Sequence, residues 1–360
     1  MSLSTGELAV TRHLLVHGPA TRGDLSDLLR VSPASMSRLA RSLVEDGIVA
    51  ENAEPAPGVG RPRQILSVVP GARHVVGCKL TATRAYGVVC DMLGDVKATA
   101  EAALLAPRSD GSVPVDGTVR VLAQLVNRLG RKVPSVDGIG VTLGGVVTDR
   151  AVVREGTFLG WRDVDLTIPL RHRTGLPVVV SNDVTALARE QLWFGAGRTH
   201  ATFGVITVGA GLGFGVVREG VVVEHLIDNG HLLAHAPVDG RGPECSLGHP
   251  GCVAAYLNRD DIERRGATGP ARVEDAARAL GHLAATFAGA LQSTRIVLAG
   301  EDITEIAESP VMAATVADRL RPGPHETQRC VLDITVAPLT FSDWARGGAV
   351  TSIQAVLGAA

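Results

Sequence analysis

Aromatic side chains are scarce in this 360-residue sequence, at 3% of all residues, and the net charge of −2 is close to zero. So few aromatic residues argue against a single-strand nucleic-acid binder that stacks bases on rings. The small net charge excludes a protein that is basic overall, but it leaves room for a local nucleic-acid site. What the sequence does contain is 42 glycines and 45% hydrophobic residues. Much glycine with little aromatic content favours a parallel α/β sheet with tight, phosphate-type turns.

The sequence also lacks long apolar runs and the regularly spaced cysteines of a disulfide-rich protein. No stretch reaches the roughly 18 uncharged apolar residues that a membrane span needs. Because the first residues also lack a basic-then-apolar signal pattern, we expect a cytoplasmic protein with no membrane partner. The five cysteines are scattered except for Cys245 and Cys252, which argues against a disulfide framework. Typical domains have about 100–200 residues, so the length predicts two or three of them.

The first 70 residues show the pattern of three short helices followed by two strands. A helix over Glu7–His17 ends at Gly18-Pro19, Thr21 opens a second helix, and Ser32-Pro33 opens a third that runs to Glu45. A short strand, a turn rich in proline and glycine, and a second strand follow. This order predicts a winged helix-turn-helix, a fold that binds double-stranded DNA.

The third helix and the wing carry the candidate DNA-binding residues. A recognition helix needs small polar and arginine side chains to reach base edges in the major groove. Arginines on a stiff turn suit the minor groove or phosphates. Because this segment has seven arginines and seven acidic residues, a helical adaptor with solvated arginines is the alternative. The candidates are Ser35, Ser37, Arg38 and Arg41 on the helix and Arg61 and Arg63 in the wing.

From residue 71 onward the pattern alternates between strands and helices, which predicts an α/β fold with two sheet-centred lobes. We expect the first lobe over 71–183 and the second over 184–360, with the C-terminal helix returning to the first lobe. One continuous helix is expected over Ile303–Leu320, before the last strand.

Several motifs in this part of the chain, together with the winged helix-turn-helix, resemble the ROK family of repressors, open reading frames and kinases. The resemblance covers nearly the whole chain and implies an actin-like, sugar-kinase-like domain with two lobes. The motifs are Gly138-Ile139-Gly140-Val141, Leu159-Gly160-Trp161-Arg162-Asp163-Val164, Asn182-Asp183, Leu192-Trp193-Phe194-Gly195-Ala196-Gly197, Gly209-Ala210-Gly211-Leu212-Gly213, and the stretch from Cys245 to Gly251-Cys252.

The resemblance also implies where kinase chemistry has been lost. The family's first phosphate turn has the form Asp-x-Gly-x-Thr, and the matching stretch begins with Lys79 and has Thr81 in place of the glycine. The exchange removes a metal-organising acid and a residue that lets backbone N–H groups approach phosphate. In the second turn, Ala210 replaces a hydroxyl residue. We therefore expect no ATP and no phosphotransfer, so the protein is not an enzyme.

The family's sugar contacts are only half retained. Six polar positions are implied; three are kept, as Asn182, Asp183 and His235, and three are apolar, as Phe158, Leu232 and Ala254. Losing hydroxyl partners weakens hexose binding, so either the effector is a different, more apolar compound or the pocket is vestigial; a modified or oligomeric sugar is a further alternative. Phe158, Asn182, Asp183 and His235 are the candidate effector contacts. Alternatively, Asn182-Asp183 only caps the next helix.

The resemblance further implies a structural zinc site built from one histidine and three cysteines. His235, Cys245 and Cys252 keep their places, but Leu247 stands where the family has its middle cysteine. Structural zinc takes four ligands, which His249, Glu244 or a water could complete. An apo loop with two free thiols is the alternative.

These features predict a DNA-binding transcriptional regulator of carbohydrate metabolism, with repressor activity. We expect a homodimer or a dimer of dimers on a two-fold-symmetric operator, in which a sugar-derived effector shifts the equilibrium between two states. The alternatives are a sugar kinase with an appended DNA-binding domain and a DNA-binding regulator that needs no ligand.

Overall fold

The computed structural model of the chain describes residues 3–54, 63–224, 231–322 and 330–358. The chain forms two compact units: unit 1 comprises Met1–Ala186 and Trp344–Ala360, and unit 2 comprises Leu187–Asp343. The N-terminal 70 residues lie in unit 1. Within the described residues, no helix combines the length and the apolar character needed to cross a bilayer.

The N-terminal head contains three helices and a three-stranded antiparallel sheet of order β1-β3-β2. Its core is formed by apolar side chains from every helix, including Val10, Leu25, Met36 and Leu43. The elements are α1 (Thr5–His17), β1 (Ala20–Thr21), α2 (Arg22–Leu29), α3 (Pro33–Glu45), β2 (Val49–Glu54) and β3 (Arg63–Val68).

Local capping explains where the head helices begin. The Thr21 hydroxyl accepts the Asp24 backbone N–H, and the Asp24 carboxylate accepts the Thr21 backbone N–H, so a capping box starts α2. The Ser32 side chain caps α3 and Pro33 takes its first position, where a missing N–H costs nothing. The bounds predicted for α3 therefore agree with the structure.

The rest of unit 1 is built on a mixed sheet of order β11-β7-β4-β5-β6. Strands β11, β7 and β4 are parallel, and β4, β5 and β6 are antiparallel. A separate antiparallel sheet of order β10-β9-β8 was not predicted from the sequence. The elements are β4 (His74–Leu80), β5 (Arg84–Asp91), β6 (Val96–Ala103), α4 (Val115–Gly130), β7 (Gly138–Leu143), β8 (Val146–Thr148), β9 (Val152–Gly156), β10 (Trp161–Asp165), α5 (Thr167–Thr174), β11 (Val178–Asn182) and α6 (Asp183–Phe194), and the unit boundary falls within α6.

Unit 2 repeats the same sheet plan, with order β14-β13-β12-β15-β16. Here β12, β15 and β16 are parallel, and β12, β13 and β14 are antiparallel. Helix α10 covers the sheet with Leu280, Leu283 and Phe287. The elements are β12 (Phe203–Val208), β13 (Leu212–Arg218), β14 (Val221–Val222), α7 (His231–Ala234), α8 (Val253–Leu257), α9 (Arg259–Arg264), α10 (Gly269–Leu291), β15 (Arg295–Gly300), α11 (Ile303–Ala307), α12 (Pro310–Arg319) and β16 (Asp333–Pro338).

The single helix predicted over Ile303–Leu320 is wrong, because α11 and α12 are separate helices. Ser309 accepts the backbone N–H of Val311, and Pro310 occupies the first helical position of α12. A proline starts a helix readily but disfavours helical geometry in the residue before it, so the chain breaks there.

The last helix, α13 (Phe341–Leu357), packs from Trp344 onward against the sheet of unit 1. A Cβ at Gly77 on β4 would lie 2.0 Å from the carbonyl oxygen of Ala345, and one at Gly140 on β7 would lie 1.9 Å from that of Gly348. Only glycine permits this approach of helix backbone to sheet backbone. Part of the glycine content therefore serves packing rather than turns.

Candidate functional sites

Helix α3 presents its arginines to solvent and its apolar residues to the head core. Arg38 and Arg41 are exposed, and Ser35 and Ser37 are half-buried. Met36 and Leu43 are fully buried. The Ser42 hydroxyl of α3 hydrogen-bonds to Glu7 of α1 and lowers the pKa of that carboxyl. The arginines are thus free of the core, as a groove-binding helix requires.

The wing is formed by β2 and β3, which pair in antiparallel register from Val49↔Val68 to Glu54↔Arg63. Arg63 is exposed at the first position of β3, whereas Arg61 lies outside the described residues. Arg22 of α2 forms an ion pair of 2.6 Å with Glu51 of β2. This pair connects the helical part of the head to the wing.

A buried ion pair contains Asp183, one of the candidate effector contacts. The Lys79 ammonium, at the end of β4, donates to the Asp183 carboxylate at the first position of α6. Their side chains are only 9% and 12% exposed. Lys79 Nζ also lies 5.1 Å from the centroid of the Trp344 ring in α13, within cation–π range. The sequence indicated a charge inversion at Lys79 but not the partner of that charge.

The polar groups of Asn182 and Asp183 both have partners within the chain. Asn182 Oδ1 accepts the Thr185 backbone N–H, and its Nδ2 donates to the Gly145 carbonyl. Asp183 Oδ1 accepts the Val184 N–H while Oδ2 binds Lys79. The capping role that was one alternative is therefore present, and it leaves few unused hydrogen-bonding positions for a ligand.

Phe158 lies next to this pair. It belongs to the turn between β9 and β10 and is 47% exposed, which is high for a phenylalanine. A Cβ at Gly144 would lie 2.9 Å from the Phe158 ring and 3.7 Å from Asp183 Oδ2. Gly144 thus leaves room for an exposed ring beside a buried carboxylate. An apolar face next to charged hydrogen-bonding groups is suited to a ligand of mixed polarity.

The β4–β5 turn, which corresponds to the family's first phosphate turn, is closed by its own hydrogen bonds. The Thr81 backbone N–H donates to the Arg84 carbonyl over 3.0 Å. The Thr81 hydroxyl donates to the same carbonyl and accepts the Arg84 N–H, each over 3.1 Å. These groups are therefore engaged within the turn.

Unit 2 contains a cluster of four candidate metal ligands: His235, Cys245, His249 and Cys252. One ligand atom from each residue lies within 4.8 Å of all the others. His235 Nδ1 is 3.6 Å from both sulfurs, and His249 Nδ1 is 3.7 Å from Cys245 Sγ. A tetrahedral zinc ion with ordinary bond lengths would hold sulfur and nitrogen about 3.6 Å apart. The donor set and its spacing fit such an ion, and burial raises the pKa of the Cys252 thiol, a penalty that a cation would offset.

The loop backbone explains why His249 joins the cluster. The Cys245 N–H donates to the His249 carbonyl, and the Gly248 N–H donates to the Cys245 carbonyl, which folds the segment into a tight turn. Leu247, at the position of the family's middle cysteine, is 55% exposed. Among the described residues, Glu244 is not part of the cluster. Gly251 has a φ of +54°, and a Cβ there would lie 1.4 Å from the Asp239 carbonyl oxygen, so only glycine fits before Cys252.

The predicted effector residues are thus divided between the two units. Phe158, Asn182 and Asp183 lie together in unit 1, and His235 lies in the cysteine cluster of unit 2. The effector contact predicted for His235 stays a prediction.

The comparisons with known proteins all indicate the same family. The model of the ROK family matches residues 82–350. The chain is 27% identical over 261 residues to the DNA-binding transcriptional repressor Mlc of Escherichia coli, an alignment that covers 71% of this chain and 63% of Mlc. The chain therefore aligns with less than two thirds of that repressor's length.

An enzyme and a solved structure also match. A glucokinase from Thermotoga maritima is 34% identical over 152 residues, which is 41% of this chain and 47% of the kinase. The crystal structure of a ROK family transcriptional regulator, a homologue of E. coli Mlc, superposes with a TM-score of 0.76 at 19% identity and covers 97% of this chain and 95% of the other. At that identity the match shows the fold, and it includes the head as well as both sheets.

Proposed function

Because this chain belongs to the ROK family, we propose that it is a DNA-binding transcriptional regulator that acts as a repressor. The observation that carries the proposal is the head: a winged helix-turn-helix whose α3 places Arg38 and Arg41 in solvent. A fold match over 97% of the chain to a ROK transcriptional regulator supports it. In this function the Ser35–Arg41 segment reads base edges, and Arg63, with Arg61, contacts phosphates or the minor groove.

The kinase-like body is proposed to be non-catalytic. A general base must accept a proton from the substrate hydroxyl, and the Asp183 carboxylate is held by the Lys79 ammonium instead. The closed turn at Thr81 likewise offers no free N–H for phosphate at that position. Both features support the loss of phosphotransfer that the sequence predicts.

We assign effector sensing to the same part of unit 1. Its ligand would be a sugar or a sugar derivative that stacks on the exposed Phe158 ring and contacts the charged groups of Lys79 and Asp183. Since Asn182 and Asp183 are already hydrogen-bonded within the chain, a ligand gains less from them than from unpaired groups.

The metal cluster is proposed to hold one structural zinc ion, with His235, Cys245, His249 and Cys252 as its four ligands. The zinc would supply folding energy to the loop rather than chemistry, because four protein ligands leave no open position. The ion would then hold this loop, which connects α7 to α8, in place.

The DNA-binding proposal is tested with duplexes selected by the full-length protein from a random library. We expect a two-fold-symmetric sequence to be enriched. The Arg38→Ala and Arg41→Ala variants should each bind it about 10–100-fold more weakly, because a good base contact contributes about 1–3 kcal/mol. The variant that lost a base contact should also tolerate more sequences. Arg63→Ala should reduce the salt dependence of binding with less change in preference.

Arg128→Ala is the matched control, since Arg128 is an exposed arginine on α4 outside the head and carries the same charge. It should bind the selected duplex as the parent protein does. Equal affinities and footprints for the head variants and this control would contradict the assignment of α3 and the wing.

A sugar kinase is the second candidate, favoured by the 34% identity to a glucokinase over 152 residues. This candidate function predicts that the parent protein phosphorylates a hexose with ATP and that the Asp183→Asn variant does not. We expect no turnover from the parent protein in a coupled assay for ADP. Turnover that depends on Asp183 would favour the kinase.

A further inference from the structure

A carboxylate of the chain itself lies against the glycine-rich turn of unit 2. This turn, Gly209-Ala210-Gly211, joins β12 to β13. A Cβ at Gly209 would lie 2.1 Å from Glu301 Oε2, so the Glu301 side chain reaches directly onto the turn backbone. Glu301 immediately follows β15 and is exposed, as is expected for a residue at a surface turn. The sequence motifs gave no indication of this contact.

The backbone around β15 fixes Glu301 at this place. Strand β15 runs parallel to β12, with Ala299 paired to Thr207. Gly300 has a φ of +114°, and a Cβ there would lie 2.2 Å from the Val208 carbonyl oxygen. The Asp302 N–H donates to that same carbonyl over 3.2 Å. Residues on both sides of Glu301 are therefore in contact with the last residue of β12, which leaves the glutamate over the turn.

A glycine-rich turn after a strand is a backbone shape that accepts phosphate, because N–H groups can approach the anion without obstruction by side chains. Here the Glu301 side chain opposes the approach of an anion, both by its volume and by its negative charge. Glu301 places its carboxylate against the turn. The nearby guanidinium of Arg259 is engaged with Asp302 at 2.6 Å, and this hydrogen bond raises the pKa of Arg259. A polyphosphate would meet like charge at a few ångströms.

We infer that Glu301 is a nucleotide-excluding residue: its carboxylate occupies the anion-accepting turn of unit 2 and prevents a nucleoside diphosphate or triphosphate from binding there. The inference rests on the proposed non-catalytic role of the body, but it depends on a different observation from the Lys79–Asp183 pair. In this inference nucleotide binding is lost because Glu301 blocks the turn, and not only because Lys79 and Thr81 replace the family's acid and glycine.

The test compares the binding of Mg-ADP to full-length variants by isothermal titration calorimetry and by thermal shift. The parent protein should show no binding at millimolar nucleotide. Glu301→Gly removes both volume and charge and should gain at least tenfold in affinity. Glu301→Gln removes the charge but keeps the volume, so its gain should be smaller. Glu308→Gln makes the same charge change at the end of α11, away from the turn, and should behave as the parent does.

Two results would overturn the inference: Mg-ADP binding by the parent protein within twofold of Glu301→Gly, or no gain in a Glu301→Gly variant whose circular dichroism and thermal midpoint show that it is folded. Thr81→Gly opens only the turn in unit 1, and a gain from it alone would also overturn the inference. Binding to the selected DNA is measured in parallel. Normal DNA binding with no gain in nucleotide affinity contradicts the role of Glu301 and leaves the regulator proposal standing. If Arg38→Ala instead binds the DNA as the parent protein does, the regulator proposal is contradicted and the role of Glu301 is not.

Discussion

At the scale of single residues, Lys79 changes the chemistry of its surroundings most. A lysine whose side chain is 91% buried needs an anion nearby, and Asp183 supplies one. The same contact engages the Asp183 Oδ2 atom within the chain. Lys79 also adjoins the Trp344 ring, and Asp183 adjoins the turn at Gly144, so the pair is held by several parts of unit 1.

Breaking this pair from one side should destabilise unit 1. Lys79→Met leaves a buried carboxylate without its cation, and Asp183→Asn leaves a buried ammonium without its anion. Each change should lower the free energy of unfolding by about 3–5 kcal/mol, because an uncompensated buried charge is costly. Chemical denaturation of the full chain, followed by tryptophan fluorescence, measures the loss.

The double variant Lys79→Met/Asp183→Asn is the control for this prediction. It removes both charges together, so its loss should be clearly smaller than the sum of the two single losses. Additive losses would mean that the two charges do not stabilise each other in the folded protein.

At the scale of elements, the turn from Cys245 to His249 brings a fourth candidate ligand to the cluster. Leu247 replaces the expected cysteine, yet the turn returns the chain so that His249, two residues later, faces Cys245. Asp261 at the start of α9 accepts the Ser246 N–H over 2.7 Å and is itself paired with Arg264. These bonds hold the turn from outside the cluster, which is the usual support of a metal-binding loop.

If His249 is the fourth ligand, its removal should weaken metal binding specifically. We expect one zinc ion per parent chain by elemental analysis and at least a tenfold lower affinity in His249→Ala. Cobalt substituted into the parent protein should show the absorption of a tetrahedral thiolate site, which His249→Ala alters. Chelation should lower the thermal midpoint of the parent protein, because metal binding contributes folding energy.

His172→Ala serves as the matched control, since His172 is an exposed histidine on α5. Its zinc content and cobalt spectrum should equal those of the parent. An unchanged affinity and spectrum in His249→Ala would exclude His249 as a ligand and favour a water or another group as the fourth.

Elements with strong local signals were predictable, and those set by neighbours were not. The caps at Thr21 and Ser32 fix α2 and α3 from within a few residues, so those helices follow from sequence. Pro310 is also a local signal, because a proline disfavours helical geometry in the residue before it and so separates α11 from α12. Strands β8 to β10 are three to five residues long, and their pairing rather than their own pattern makes them strands.

At the scale of the whole molecule, the two large sheets share one strand order and one set of directions. A shared plan in the two lobes is what an actin-like, sugar-kinase-like fold predicts, and the ROK structural match agrees with it. Because the described residues contain one head, for which we propose DNA binding, this body is expected to supply the pairing of two chains.

We therefore expect a homodimer, with a dimer of dimers as the larger assembly. Light scattering of the full-length protein should give twice the mass of the chain, or four times it. Footprints on the selected duplex should show two half-sites about 34–36 Å apart or at multiples of that spacing, because each head occupies one major groove. A monomeric mass together with a single half-site footprint would contradict both the dimer and the symmetric operator.

The family, the head and the identity of the changed residues follow from the order of the amino acids alone. Capping residues, hydrophobic periodicity and glycine-rich motifs act over a few positions, so they can be read along the chain. Which distant groups come into contact depends on the folded chain. Lys79 and Asp183, 104 positions apart, become an ion pair because parallel strands β4, β7 and β11 end at one sheet edge. Likewise, Glu301 reaches the Gly209 turn because β15 lies beside β12. Such encounters depend on strand order, which no local pattern specifies.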